Sequence, residues 1–160
     1  MKKILSKYAE LGKRVSKGLK VRRGDDFYCY PDDNQIFIPM IWNEKDVNHF
    51  MGNIKTRYNS EWVDKIDNYI WCFLHELGHI KTDRHNIIDT LCRPILTTLA
   101  NLSILPNLIQ SLYYRLPNEY NATDWAINYV NEHFNELLKF QKDLRKVYIR
   151  YYKSTGIKMA

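Results

Sequence analysis

The sequence predicts an α+β fold that is mostly helical, with a small N-terminal antiparallel β-hairpin or sheet. Three observations carry that expectation. Apolar residues recur every three or four positions from Trp62 to Tyr151, as amphipathic helices require. Two short aromatic-rich runs flank Pro31-Asp32-Asp33-Asn34 before that point, which is a hairpin signal. Only six Gly and five Pro punctuate 160 residues, with no repeat, Gly/Ser linker or low-complexity tract, so one compact domain over residues 1–160 is the economical reading.

Each element follows from its own pattern. Residues 1–23 read as a basic N-terminal helix of net charge +8, whose Ile4, Leu5, Tyr8 and Leu11 form a stripe for docking on the core. The hairpin strands are Asp26 to Tyr30 and Gln35 to Met40. In the second strand Ile36 and Ile38 share one face and Phe37 takes the other, while Pro39 marks an edge or a strand end. Asn43 to Arg57 predicts a short helix and loop. Trp62, Ile66, Ile70, Phe73, Leu74 and Leu77 then form one helical stripe, with Asn59 or Ser60 as the cap.

The apolar stretch Ile87 to Leu112 is interrupted by Asp89, Arg93, Pro94, Asn101, Pro106, Asn107 and Gln110, so it does not read as a membrane span. It reads as two short buried helices. Pro94 suits the first turn of a helix from Arg93 to Leu105, and Pro106 with Asn107 starts another that ends near Leu116. A partner-binding or lipid-facing surface, or a substrate groove, is the alternative reading of this stretch. From Asn118 the helical pattern resumes through Trp125, Tyr129, Val130, Phe134, Leu137, Leu144 and Tyr151, with a break near Asn131. That break separates a body of residues 24–130 from a basic C-terminal helix of residues 131–160.

Charge is unevenly spread along the chain. Residues 1–23 carry +8 and residues 139–160 carry +6, leaving −8 in the middle of a chain whose total is +6. Basic ends around an acidic body suit nucleic acid or an acidic partner, against the plainer reading of solvated helix faces; no nucleic-acid fold signature accompanies them. With 45% apolar and 14% aromatic residues, global disorder is excluded. Cys29, Cys72 and Cys92 are scattered and without a C-x-x-C pair, which argues against a disulfide framework or a zinc knuckle; Cys72 and Cys92 read as small core residues. Tyr8, Glu10, Gly12 and Lys13 interrupt the basic start before a secretory apolar run can form. A reducing, cytoplasmic setting is the expectation.

The stretch that bears on chemistry is His75-Glu76-Leu77-Gly78-His79. Residues four apart on a helix share a face, so His75 and His79 can hold one tetrahedral Zn²⁺ while Glu76 reaches a water beside it. Chance alone yields H-E-x-x-H in about one such chain in a hundred, and a pair of core histidines is the competing reading. Context favours the metal. The imidazoles follow an apolar stripe and stand next to Trp71 and Phe73, at the edge of a core.

A catalytic zinc site needs a third protein ligand. His85, six residues after His79, has the metzincin spacing, but Thr82 stands where that chain turns back on a glycine. Glu119 is the other candidate: Pro117 and Asn118 start a helix on which Glu119, Ala122 and Ala126 share a face, small residues that let two helices approach closely.

His75-Glu76-Leu77-Gly78-His79 followed by Glu119-x-x-Ala122-x-x-Trp125-Ala126 resembles the ImmA/IrrE metallopeptidase family, whose second helix carries a ligand glutamate in a similar setting. The resemblance spans roughly Val21 to Val130, and its two motifs are the specific part. Stand-alone gluzincin peptidases are a looser match with the same ligand set. The resemblance implies a mostly helical zincin-like domain in which His75, His79 and Glu119 bind Zn²⁺ and Glu76 is the general base. The segment His85 to Leu116 departs from the family pattern in being longer and more apolar.

In such a site Zn²⁺ lowers the pKa of its water to about 7 and polarises the scissile carbonyl, while Glu76 takes the proton and passes it to the leaving amine. His85, Tyr113, Tyr114, Tyr120 and His133 are candidate oxyanion donors. The hairpin's open edge, beside the zinc helix, is a candidate shelf for an extended peptide. The resemblance further implies a cytoplasmic protease acting on a protein substrate, a helix-turn-helix DNA-binding repressor of a mobile element or stress response. The alternative is a non-catalytic zincin-like module that tethers or senses a repressor or nucleic acid.

Overall fold

The computed structural model describes residues 1–40, 44–58, 63–83 and 86–156. It is α+β and mostly helical, as the sequence leads one to expect. The N-terminal helix α1 is Lys2–Val15, shorter than the expected helix over residues 1–23. Gly18 takes φ +82°, a conformation that ends helical winding, and Leu19 beyond it is buried. The chain then enters strand β1, Lys20–Gly24. Ile4, Tyr8 and Leu11 of α1 are buried, so the docking stripe is where its spacing put it.

Strands β2 (Tyr28–Tyr30) and β3 (Gln35–Pro39) form the antiparallel hairpin. The sheet is not purely antiparallel, however: β1 pairs with β3 in parallel and the order is β1-β3-β2. Asn34 brings β1 there. At φ +51° its side chain accepts from the Ser16 hydroxyl (2.9 Å) and donates to the Lys17 carbonyl (3.1 Å), tying the turn to the end of α1. Ile36 and Ile38 are buried, Phe37 stacks on Tyr28 at 4.6 Å on the opposite face, and Pro39 ends its strand.

Helix α2 (Glu44–Arg57) buries Val47, Phe50, Met51 and Ile54 at helical spacing. The motif helix α3 is Asn68–Thr82, preceded by a single 3₁₀ turn at Val63–Lys65. The helix therefore starts later than the stripe from Trp62 suggests; Asn59, Ser60 and Trp62 lie outside the described residues. The Trp71 indole donates to the Val63 carbonyl (3.2 Å), and the Asp67 N–H at the helix start donates to Gln141 Oε1 (2.7 Å). Those two bonds satisfy groups that a longer helix would have satisfied internally.

Helices α4 (Ile87–Asn101) and α5 (Pro106–Tyr113) replace the expected pair of buried helices. Pro94 sits inside α4 and not in its first turn, because Asn86 caps the helix earlier by accepting from the Ile88 N–H (2.9 Å). Burial is also corrected. Ile87, Leu91, Leu102 and Leu105 are 74, 62, 63 and 65% exposed, and no residue of α4 or α5 belongs to the main core. The inward positions of α4 carry Asp89 and Arg93 instead, so its apolar stripe faces out. No helix among the described residues is long and apolar enough to cross a membrane.

Helix α6 (Pro117–Thr155) runs through a kink at His133 (φ −119°, ψ 20°), two residues beyond the break expected at Asn131. Its second half packs on α1 through Tyr8 and Phe140 (6.4 Å) and through Tyr8 and Tyr148, whose hydroxyls lie 3.5 Å apart. The two basic ends are thus neighbours.

Candidate metal centre

His75 and His79 lie on α3 and Glu119 on the first turn of α6, and all three are buried. Close approach of the two helices brings them together. A Cβ on Gly78 would lie 2.4 Å from the Ala122 carbonyl oxygen, so only glycine fits where α3 meets the Ala122 turn. Ala122 and Ala126 are fully buried, as their small size suggested.

Three ligand atoms converge. His75 Nε2 is 3.1 Å and His79 Nε2 3.4 Å from Glu119 Oε2, and the two nitrogens are 3.2 Å apart. Zinc bonds of ~2.0–2.1 Å at tetrahedral angles give ligand–ligand edges of about 3.3 Å, so the trio fits one metal ion. Proton bookkeeping supports the fit. The Thr123 hydroxyl donates to the Glu119 carbonyl (2.9 Å), so it accepts from His75 Nδ1–H at 3.1 Å. That bond engages Nδ1 and leaves Nε2 as the His75 nitrogen that faces the other two ligand atoms.

Electrostatics agree with an anionic ligand set. Burial works against the Glu119 charge, but hydrogen bonds and attraction from His75 and His79 hold its carboxyl well below the usual range. Burial likewise disfavours a charged His79, and Glu119 with Glu76 more than offsets it, raising its pKa. Phe50 packs edge-on to the His75 ring at 4.9 Å and restrains its tilt.

The trio opens into a cavity of about 690 Å³, whose lining includes Glu76, Phe27, Tyr28, Cys29, Arg93, Tyr113 and Tyr114. Glu76 is half-buried on α3 between the two histidines, with its carboxylate near Cys29 of β2. Burial and that carboxylate push the Cys29 thiol up. Strand β2 is the outer strand on this side of the sheet, so the hairpin edge borders the cavity.

Of the other sites read from sequence, Tyr113 and Tyr114 line the cavity, whereas Tyr120 is exposed and absent from its lining. His133 sits at the α6 kink against Tyr129 (4.4 Å). His85 lies outside the described residues. Three residues at the site were not read as functional from sequence: Thr123, and Arg93 and Asp89, which served there only as interruptions of the apolar stretch. Thr123 had a signal, being one turn after Glu119 on the same face. Arg93 donates to Glu119 Oε1 at 2.8 Å, to Tyr113 at 2.7 Å and to Asp89 at 3.3 Å, contacts that no local spacing announces. Comparison with protein-family models, curated proteins and solved structures finds no match to the chain.

Proposed function

We propose that the protein is a zinc-dependent endopeptidase of gluzincin type. The observation that carries this reading is the His75–His79–Glu119 trio at tetrahedral edge lengths, opening with Glu76 into one cavity. His75, His79 and Glu119 would hold the metal. A bound Zn²⁺ supplies a Lewis acid and brings the pKa of water to about 7. Glu76 accepts the proton of the attacking water and returns it to the leaving amine. Strand β2 receives the substrate backbone as an added strand, which favours an extended segment of a protein.

The resemblance to ImmA/IrrE peptidases extends this to a regulatory substrate, a helix-turn-helix repressor. The experiment is Glu76→Gln. It keeps the metal, assayed by elemental analysis, and abolishes cleavage of a repressor encoded beside the gene. Cleavage that persists in Glu76→Gln, or a repressor left intact by zinc-loaded protein, refutes the reading. The adjacency of the two basic ends, where Met1, Lys2 and Lys3 line one cavity with Arg150, favours a second role in tethering an acidic partner. That role alone predicts binding that Glu76→Gln leaves unchanged.

A further inference from the structure

Glu119 offers its two oxygens to different neighbours. Oε2 faces the histidines, whereas Oε1 accepts from Arg93 Nη1 at 2.8 Å. The guanidinium is held in turn by the Tyr113 hydroxyl (2.7 Å) and by Asp89 Oδ1 (3.3 Å). The second oxygen of Asp89 accepts the Asn118 N–H (3.3 Å), one residue before Glu119. Arg93 and Asp89 belong to α4 and Tyr113 to α5. The α4–α5 hairpin therefore grips both the ligand carboxylate and the helix turn that carries it. It adds no side chain to the main core, and these polar contacts at the site are prominent in its anchorage.

We propose that Arg93 is a positioning residue that confines Glu119 to one-oxygen ligation and thereby couples metal affinity to the seating of the α4–α5 hairpin. This rests on the reading of the trio as a metal site. A carboxylate ligates through one oxygen or both. A charge-assisted bond to Oε1 engages that oxygen and leaves Oε2, the oxygen beside both histidines, as the one that would ligate a metal. Arg93 is suited to this because its fork reaches Glu119, Tyr113 and Asp89 at once, which a lysine ammonium on its flexible stem does not reproduce. Coupling is reciprocal. Whatever a seated hairpin adds to metal affinity, the metal adds to hairpin seating.

The test measures both directions on the full chain. Zn²⁺ affinity is read by competition with a chromophoric chelator for wild type, Arg93→Ala and Arg93→Lys. Chymotrypsin cleavage within residues 87–112 is followed with and without Zn²⁺. The expected result is an affinity about 10–100-fold lower for Arg93→Ala and intermediate for Arg93→Lys. Zn²⁺ should slow hairpin cleavage in wild type and not in Arg93→Ala. Wild-type affinity in Arg93→Ala, or equal protection in both proteins, overturns the proposal. If Arg93→Ala does not fold, Arg93→Lys decides, since unchanged affinity there overturns it as well. A wild-type protein that binds no Zn²⁺ fails before any variant is compared, and that result sinks the metal reading itself. Zinc bound and substrate cut, with Arg93 variants indistinguishable from wild type, sinks only the coupling.

Discussion

Replacing Gly78 by Ala puts two effects of opposite sign in competition. In a helix with free space around it, Gly→Ala stabilises by about 1 kcal/mol through backbone entropy. At Gly78 the new Cβ meets Ala122 O at 2.4 Å and Ala122 C and Cα at 2.9 Å, all backbone atoms that no rotamer change can move. Ordinary carbon–oxygen contacts begin near 3.3 Å, so α3 and α6 must part by about 1 Å there. Overpacking costs about 1–3 kcal/mol, and a clash with backbone on both sides belongs in the upper half of that range, so the net loss after the propensity gain is about 1–2 kcal/mol. Thermal unfolding should therefore fall by roughly 2–8 °C for a chain of this size. Glu119 lies one turn from Ala122, so the 3.1 Å edge to His75 opens toward about 4 Å, beyond a tetrahedral zinc edge. Zn²⁺ affinity should fall at least tenfold, read by chelator competition. Gly52 is the control, with nothing within 4 Å of its Cβ position, and Gly52→Ala should raise the midpoint by about 1–4 °C. The reasoning fails if Gly78→Ala melts at or above wild type and binds zinc unchanged.

Thr123→Val removes the acceptor for His75 Nδ1–H and should lower Zn²⁺ affinity about 10–100-fold, whereas Thr123→Ser restores it; equal affinities in all three proteins would count against the tautomer argument. Glu119→Ala should empty the site by elemental analysis. Zinc that survives in Glu119→Ala but is lost in His85→Ala would move the third ligand to His85. Cys29 should alkylate slowly at neutral pH, since burial and then the Glu76 carboxylate disfavour its thiolate. Removing the negative charge in Glu76→Gln lowers that pKa, so the Cys29 peptide should label faster than in wild type across pH 7–9. A rate unchanged by Glu76→Gln would show that the carboxylate is not near the thiol.

Local rules carried the elements whose signals are local. Ile36 and Ile38 alternate against Phe37, and the hairpin followed; Pro117 opens a helix, and Glu119 and Ala122 came out on the face that meets α3. The third strand was not legible, because Lys20–Gly24 is basic and is recruited by an Asn34 turn that ties to Ser16 and Lys17. The hairpin α4–α5 misled for the opposite reason. Apolar spacing at Ile87, Leu91 and Ile95 indicates a face without saying which way it points, and the inward face is polar because Asp89 and Arg93 serve Glu119. The metal trio was half written in the H-E-x-x-H spacing. Its supporting bonds from Thr123 and Arg93 depend on packing between helices, which one sequence does not spell out.

The kinked α6 has a consequence for how this chain tolerates change in length. Its first half touches α3 at Gly78, and its second half clasps the start of α3, where Asp67 meets Gln141 and Arg145. Two clamps on one helix make a brace, with the bend at His133 as the corner that lets both clamps close. One residue inserted or deleted between Glu119 and Gln141 turns the far clamp by about 100° relative to the near one. Substitutions on the outer face of that stretch are absorbed locally, whereas a change of one residue in its length unfastens one end of the helix that carries both histidines.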